Sequence, residues 1–167
     1  MKSADRPLAT SADAGPRPDD QPIADALARH HQGLEQAFDA IVVRADGGDA
    51  ATLRAAWDAF ERELLRHMEI EDIELLPLFE RAQPDEGHAL REEHDEIREN
   101  LFELGLALDL RELRAAQVRA FADRLRAHAR REDQTLYPWL EGHVPQQTWH
   151  ELGRDLSRSE ALAKLLG

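Results

Sequence analysis

His67-Met-Glu-Ile-Glu71-Asp-Ile-Glu-Leu75-Leu-Pro77 is the stretch that decides the fold. It continues a seam that runs Leu53, Trp57, Phe60, Leu64, then His67 and Glu71, then Leu75 and Leu78. Alternating steps of four and three mark the face that a helix turns toward its neighbours. In the middle of that face an imidazole and a carboxylate, one turn apart, replace two apolar residues. Burying such groups without partners costs roughly 2–7 kcal/mol for a neutral polar group and more for a charge. A metal ion supplies the missing partner, because neutral imidazole and carboxylate are both good ligands.

The phrase recurs as His128-Ala-Arg-Arg-Glu132-Asp-Gln-Thr-Leu136-Tyr-Pro138. Histidine, glutamate, leucine and proline all return at a constant offset of 61 residues. Internal duplication is the simplest account of four coincident identities.

Composition bounds the rest. A chain of 167 residues is long enough for one domain with a sizeable core. It is rich in Ala, Leu, Glu and Arg, which favour helix, and β-branched and aromatic residues are scarce, so the reading is all-α. The net charge of −13 argues against nucleic acid and anionic membranes as partners. Cysteine is absent, which removes thiolate metal sites and disulfides. No apolar run approaches the ~20 residues of a membrane span, and the N-terminus lacks the apolar core of a secretion signal. A cytoplasmic protein is the expectation.

Residues 1–21 contain Pro7, Pro16 and Pro18 and no apolar period, and they read as a disordered tail. The first helix is expected to start near Pro22, with Leu27, His31, Leu34, Phe38 and Ile41 inward. This rhythm selects His31 over His30, which reads as a boundary residue. Asp46-Gly47-Gly48-Asp49 forms a turn, with Asp49 as N-cap of the second helix. That helix runs to Leu76, where Pro77 ends or kinks it. After a break at Gln83-Pro84-Asp85, a third helix carries Leu90, His94, Ile97, Leu101, Leu104 and Leu108 inward. A fourth, beyond Asp109-Leu110, carries Val118, Phe121, Leu125, His128, Glu132, Leu136 and Trp139. Short connections predict an up-down-up-down four-helix bundle over residues 22–141. A further amphipathic helix over 142–167, with Trp149, Leu152 and Leu156, is expected to dock on it, with a dimer contact or partner-binding helix as the alternatives. Rises of ~1.5 Å per residue set His31 about 20 Å and His67 about 26 Å from the turn between their helices. His94 and His128 pair in the same way, so the four histidines meet at one level.

Six residues therefore converge: His31, His67, Glu71, His94, His128 and Glu132. In each HxxxE phrase both ligands lie on one helix face. Two carboxylates arriving from opposite helices can each bridge two cations, and four imidazoles add two nitrogens to each. An oxo or hydroxo bridge brings the count to about five per metal and leaves room for a small exogenous molecule. Such a donor set without thiolate suits two iron ions, with manganese or zinc as competitors. Glu35, Glu69 and Glu74 read as solvated helix surface, and His143 and His150 as exposed.

A histidine, HxxxE, a histidine and HxxxE on four successive helices resemble the hemerythrin-like family, also called the HHE cation-binding domain. The closing Leu75 and Pro77, and Leu136 and Pro138, strengthen the resemblance, which covers residues 22–141. It implies a non-haem di-iron centre bridged by Glu71 and Glu132, and a protein that binds dioxygen, senses oxygen or iron, or handles nitric oxide or peroxide. One feature departs from the oxygen-carrying members, which have a fifth histidine in a HxxxH pair on the third helix. Here Arg98 and Leu90 occupy the positions four residues either side of His94, and His88 lies about 120° round the helix. One fewer protein ligand argues against reversible oxygen carriage and for redox turnover. Three functions follow as expectations: binding or responding to a small diatomic or peroxide ligand, di-iron redox catalysis, and iron handling. The expected assembly is a monomer or homodimer.

Overall fold

The computed structural model describes residues 23–45 and 50–143. The expected N-terminal tail, the turn at 46–49 with its cap, and the C-terminal segment beyond His143 lie outside the described residues. What is described is a helical bundle. Its helices are α1 (Ile23–Ala45), α2 (Ala50–Ile70), α3 (Leu76–Ala82), α4 (Pro84–Asp109), α5 (Ala115–Gln134) and α6 (Leu136–His143). Helix α1 packs on α2, α5 and α6, and α4 packs on α2, α3 and α5.

Two of the expected helices are interrupted, each just before its proline. Between α2 and α3 the chain makes a π-helical turn over Glu71–Leu75. Pro77 has no N–H to offer the carbonyl of Ile73, and its ring crowds that carbonyl, so a widened turn relieves both problems. The extra residue rotates everything beyond it. Leu76 and Phe79 are buried beside Leu75, whereas Leu78, expected on the seam, is only half-buried. In the second half, Thr135 separates α5 from α6, three residues before Pro138. Tyr137 and Leu140 turn inward there, and Trp139 is left half-buried. Leu125 is likewise only half-buried.

Two connections between helices have identifiable causes. Helix α4 starts at Pro84 directly after α3, and a Cβ on Gly87 would stand 2.5 Å from Glu80 Cγ and 3.1 Å from its Cα. Only glycine permits so close an approach. At the other end of α4, Glu112 N–H bonds to Ala107 C=O at 2.8 Å and Arg111 N–H to Leu108 C=O at 3.1 Å. Arg111 holds the left-handed conformation of that helix cap, at φ 58°.

The apolar core is in two parts. Trp57, Phe60, Phe38, Ile97, Leu101 and Phe121 belong to one, and Leu27, Leu76, Phe79, Leu90, Leu136 and Tyr137 to the other. The buried polar residues, His30, His67, Glu71, His94, His128 and Glu132, belong to neither. By their positions along the helices they form a polar layer between the two. Among the described residues, no helix is long and apolar enough to cross a membrane.

Candidate metal centre

Each helix delivers its polar residues to that layer because they occupy positions of its buried seam. His31 comes from α1, His67 from α2, Glu71 from the first residue of the π turn, His94 from α4, and His128 and Glu132 from α5. Glu71, His94 and Glu132 side chains have no exposed surface, and His67 has 2 %. His31 Nε2 lies 2.9 Å from His67 Nε2, and His94 Nε2 lies 3.1 Å from His128 Nε2. Glu132 stands 3.0 Å from His128, 3.3 Å from His94 and 3.1 Å from His31. Glu71 stands 3.3 Å from His67 and 3.5 Å from His94. Two four-residue groups result: His31, His67, Glu71 and Glu132, and Glu71, His94, His128 and Glu132. In each, the donor atoms all lie within 4.8 Å of one another. Both glutamates belong to both groups.

The hemerythrin HHE cation-binding domain model matches residues 23–140, and again 85–166. The chain belongs to the hemerythrin HHE family. The two matches start 62 residues apart, at 23 and 85, close to the offset between the two HxxxE phrases. No curated protein and no solved structure matched the chain.

The residues fit a cation of the kind the HHE family binds. His94 donates its Nδ1–H to Asp72 at 2.8 Å, and His128 donates its Nδ1–H to Glu93 at 2.8 Å. In the neutral ring this leaves an Nε2 lone pair on each, and those lone pairs face each other across 3.1 Å. Only a proton or a cation between them makes that arrangement stable. Two nitrogens about 2.1 Å from one ion and 90–110° apart lie roughly 3.0–3.4 Å from each other, which is close to the spacing of both histidine pairs. Glu71 Oε2 is buried without a hydrogen-bond partner, as is His67 Nδ1.

Electrostatics carries the same message. Burial pushes the Glu71 carboxyl above its usual range, and the charge on Glu132 adds to the rise. Burial also opposes charge on Glu132, yet His128, His31 and His94 together hold its carboxyl well below that range. Burial disfavours charge on His94, but Asp72, Glu132 and Glu71 outweigh it and hold the imidazole up at about 11. For His128, Glu132 and Glu93 do the same, up to about 9. His67 goes the other way: burial, then His31 and His30, press it well down. Neighbours pushed in opposite directions are what two acids and four bases produce in a space from which counter-ions are excluded. Dications would neutralise both acids and remove the competition for protons.

Four functional features were not read from the sequence. Asp72 follows Glu71 in the π turn and is tied to Arg98 by a close ion pair and to Arg91 at 3.6 Å. Glu93 is held by Arg131 at 2.6 Å, and Arg131 also grips Glu86 at 2.6 and 3.0 Å. Tyr137 donates its hydroxyl to Glu71 Oε1 at 2.6 Å and lies 3.1 Å from His31 Nε2 and 3.4 Å from Glu132 Oε2. Its phenol is pushed well up by burial and by both glutamates. His30, expected at a boundary, is buried and stacks on His67, with ring centroids 4.8 Å apart and planes 15° from parallel. Alternation of four and three admits one of two adjacent histidines, but both lie inside.

The secondary candidates stay away from the centre. Glu35 is exposed and paired with Arg126 at 2.5 Å. His88 has 72 % of its side chain exposed and meets Glu92. Glu69, Glu74 and His143 are exposed, while His150 lies outside the described residues. Of the two positions four residues from His94, Arg98 reaches Asp72 and Leu90 is buried in the apolar core.

Proposed function

We propose that this chain is a non-haem di-iron protein that binds or responds to dioxygen, nitric oxide or peroxide. In this reading the bundle has up-down-up-down connectivity, and Glu71 and Glu132 bridge two ions. His31 and His67 serve one ion, and His94 and His128 the other. The observation that carries it is that two four-residue donor groups share both carboxylates. Nitrogen and oxygen donors without thiolate suit iron, with manganese or zinc as competitors, and an oxo or hydroxo bridge would complete the set.

Bound iron would supply the electron change and an open coordination position. The chain's own residues supply orientation and partial shielding. Asp72 and Glu93 fix the tautomers of His94 and His128, Tyr137 holds one oxygen of Glu71, and the two apolar clusters flank the polar layer. The acidic surface favours a small ligand over nucleic acid or an anionic membrane as partner, in a cytoplasmic monomer or homodimer.

Redox turnover, as a peroxide-consuming or oxidase enzyme, is the alternative. It is favoured by one observation: neither position four residues from His94 is a histidine, since Arg98 reaches Asp72 and Leu90 is buried in the apolar core. Iron handling is weaker, since a two-ion site holds little metal. Anaerobic loading with ferrous iron, followed by oxygen, nitric oxide or peroxide in a spectrophotometer, separates the readings. A spectral change reversed by removing oxygen supports binding or sensing, and consumption of peroxide over many cycles supports catalysis. No response to any of the three refutes the proposal.

A further inference from the structure

A cavity of about 240 Å³ opens between α1 and α5 and ends on His31, His67 and His128. Of the histidines that line it, the side chains of His31, His128 and His67 are 10 %, 6 % and 2 % exposed, whereas His94, which does not line it, is fully enclosed. The gap has a local cause. Ala28 on α1 and Ala122 and Ala129 on α5 line it, so the seam is short of side-chain volume there. Leu34, Phe38, Leu64 and Leu125 make its walls apolar. Across the mouth, Arg126 of α5 reaches Glu35 at 2.5 Å and Asp39 at 3.3 Å on α1.

We infer that this cavity is the port by which a small uncharged molecule reaches the metal centre, and that Arg126 is its strap. The inference rests on the di-metal reading and adds to it a direction of approach and a gate. A cavity of about 150 Å³ accepts benzene, so one of 240 Å³ has room for a diatomic gas or hydrogen peroxide. The apolar part of the wall favours neutral species over ions, which would shed hydration to pass it. Glu35, Asp39 and Asp133 outnumber Arg126 and Arg130 at the rim, which disfavours anions further. The strap is held only by half-exposed ion pairs, which are weak and frequently open. It retards entry rather than forbidding it.

The test uses the full chain loaded with ferrous iron, with nitric oxide as probe in stopped flow and xenon in crystals. Ala129→Leu should slow nitric oxide association about tenfold with metal content unchanged. Arg126→Ala should speed it about two- to fivefold. Xenon should seat between Leu34, Phe38, Leu64 and Leu125 in the native protein and be lost from Ala129→Leu. If Ala129→Leu fails to hold metal, the Arg126→Ala rate decides, and an unchanged rate there removes the strap. Unchanged association in Ala129→Leu, or xenon absent from the native cavity, overturns the port. If native protein fails to bind nitric oxide at all, the small-molecule reading falls, and the xenon position alone still decides whether the port exists.

Discussion

Asp72→Ala is the substitution whose effect can be worked furthest from the structure. It removes the carboxylate that accepts the His94 Nδ1–H at 2.8 Å. Loss of an outer carboxylate behind a metal-bound histidine costs about 10–100-fold in metal affinity, or roughly 1.4–2.7 kcal/mol. Where in that range a site falls depends on whether water can take the vacated place. His94 has no exposed surface and Asp72 only 15 %, so the effect should approach 100-fold. Glu93, behind His128, is 30 % exposed, and water can replace it. Glu93→Ala should therefore cost nearer 10-fold. Both substitutions act on the His94/His128 ion and should spare the one held by His31 and His67. Competition against a chromophoric chelator, with iron counted by mass spectrometry, reads both quantities. Equal weakening of the two ions by Asp72→Ala, or a Glu93→Ala effect larger than that of Asp72→Ala, would refute the reasoning.

Tyr137→Phe leaves Glu71 Oε1 buried without its hydroxyl donor, and should cost about 1–3 kcal/mol in urea unfolding of metal-free protein; a loss under about 0.5 kcal/mol contradicts the contact. Acid should release metal through the imidazoles before the outer carboxylates fail. Burial opposes the ionised form of Asp72, but His94 and Arg98 hold its carboxyl below its ordinary value, and His128 and Arg131 do the same for Glu93. A depressed carboxylate gives its full support above its unfolded value and loses it only as pH falls through the lower folded one. Metal release followed against pH should accordingly have its midpoint between about pH 4 and 6, and retention of both ions below that range would contradict it. Gly87→Ala drives a Cβ against Glu80 and should destabilise by about 1–2 kcal/mol despite alanine's helix preference, which thermal unfolding would show; a rise in melting temperature would contradict the close approach of α3 and α4.

Much of this site is legible in the sequence because polar residues on an apolar seam are conspicuous. His67, Glu71, His94, His128 and Glu132 interrupt runs of leucine, isoleucine and phenylalanine, and the duplication repeats the interruption. What escaped reading has four physical origins. A π turn adds a residue that a period of 3.6 cannot register, so Leu76 and Phe79 replace Leu78 on the buried face. Asp72 and Glu93 carry charge, and a charged residue beside a seam is usually helix surface, so their support of His94 and His128 was invisible. Tyr137 was hidden by the duplication itself, whose offset pairs it with Leu76. The chain's single tyrosine, in an apolar run next to Pro138, was the available clue. His30 shows the opposite limit, since its stacking on His67 depends on how far α1 rotates against α2, and no spacing rule sets that angle.

The position of the metal tests the central claim most directly. Crystals of the iron-loaded protein, measured at the iron absorption edge, should show two anomalous peaks. One should lie between His31 and His67, the other between His94 and His128, and both should touch the carboxylates of Glu71 and Glu132. A single peak, or two peaks that do not share both glutamates, would contradict the account.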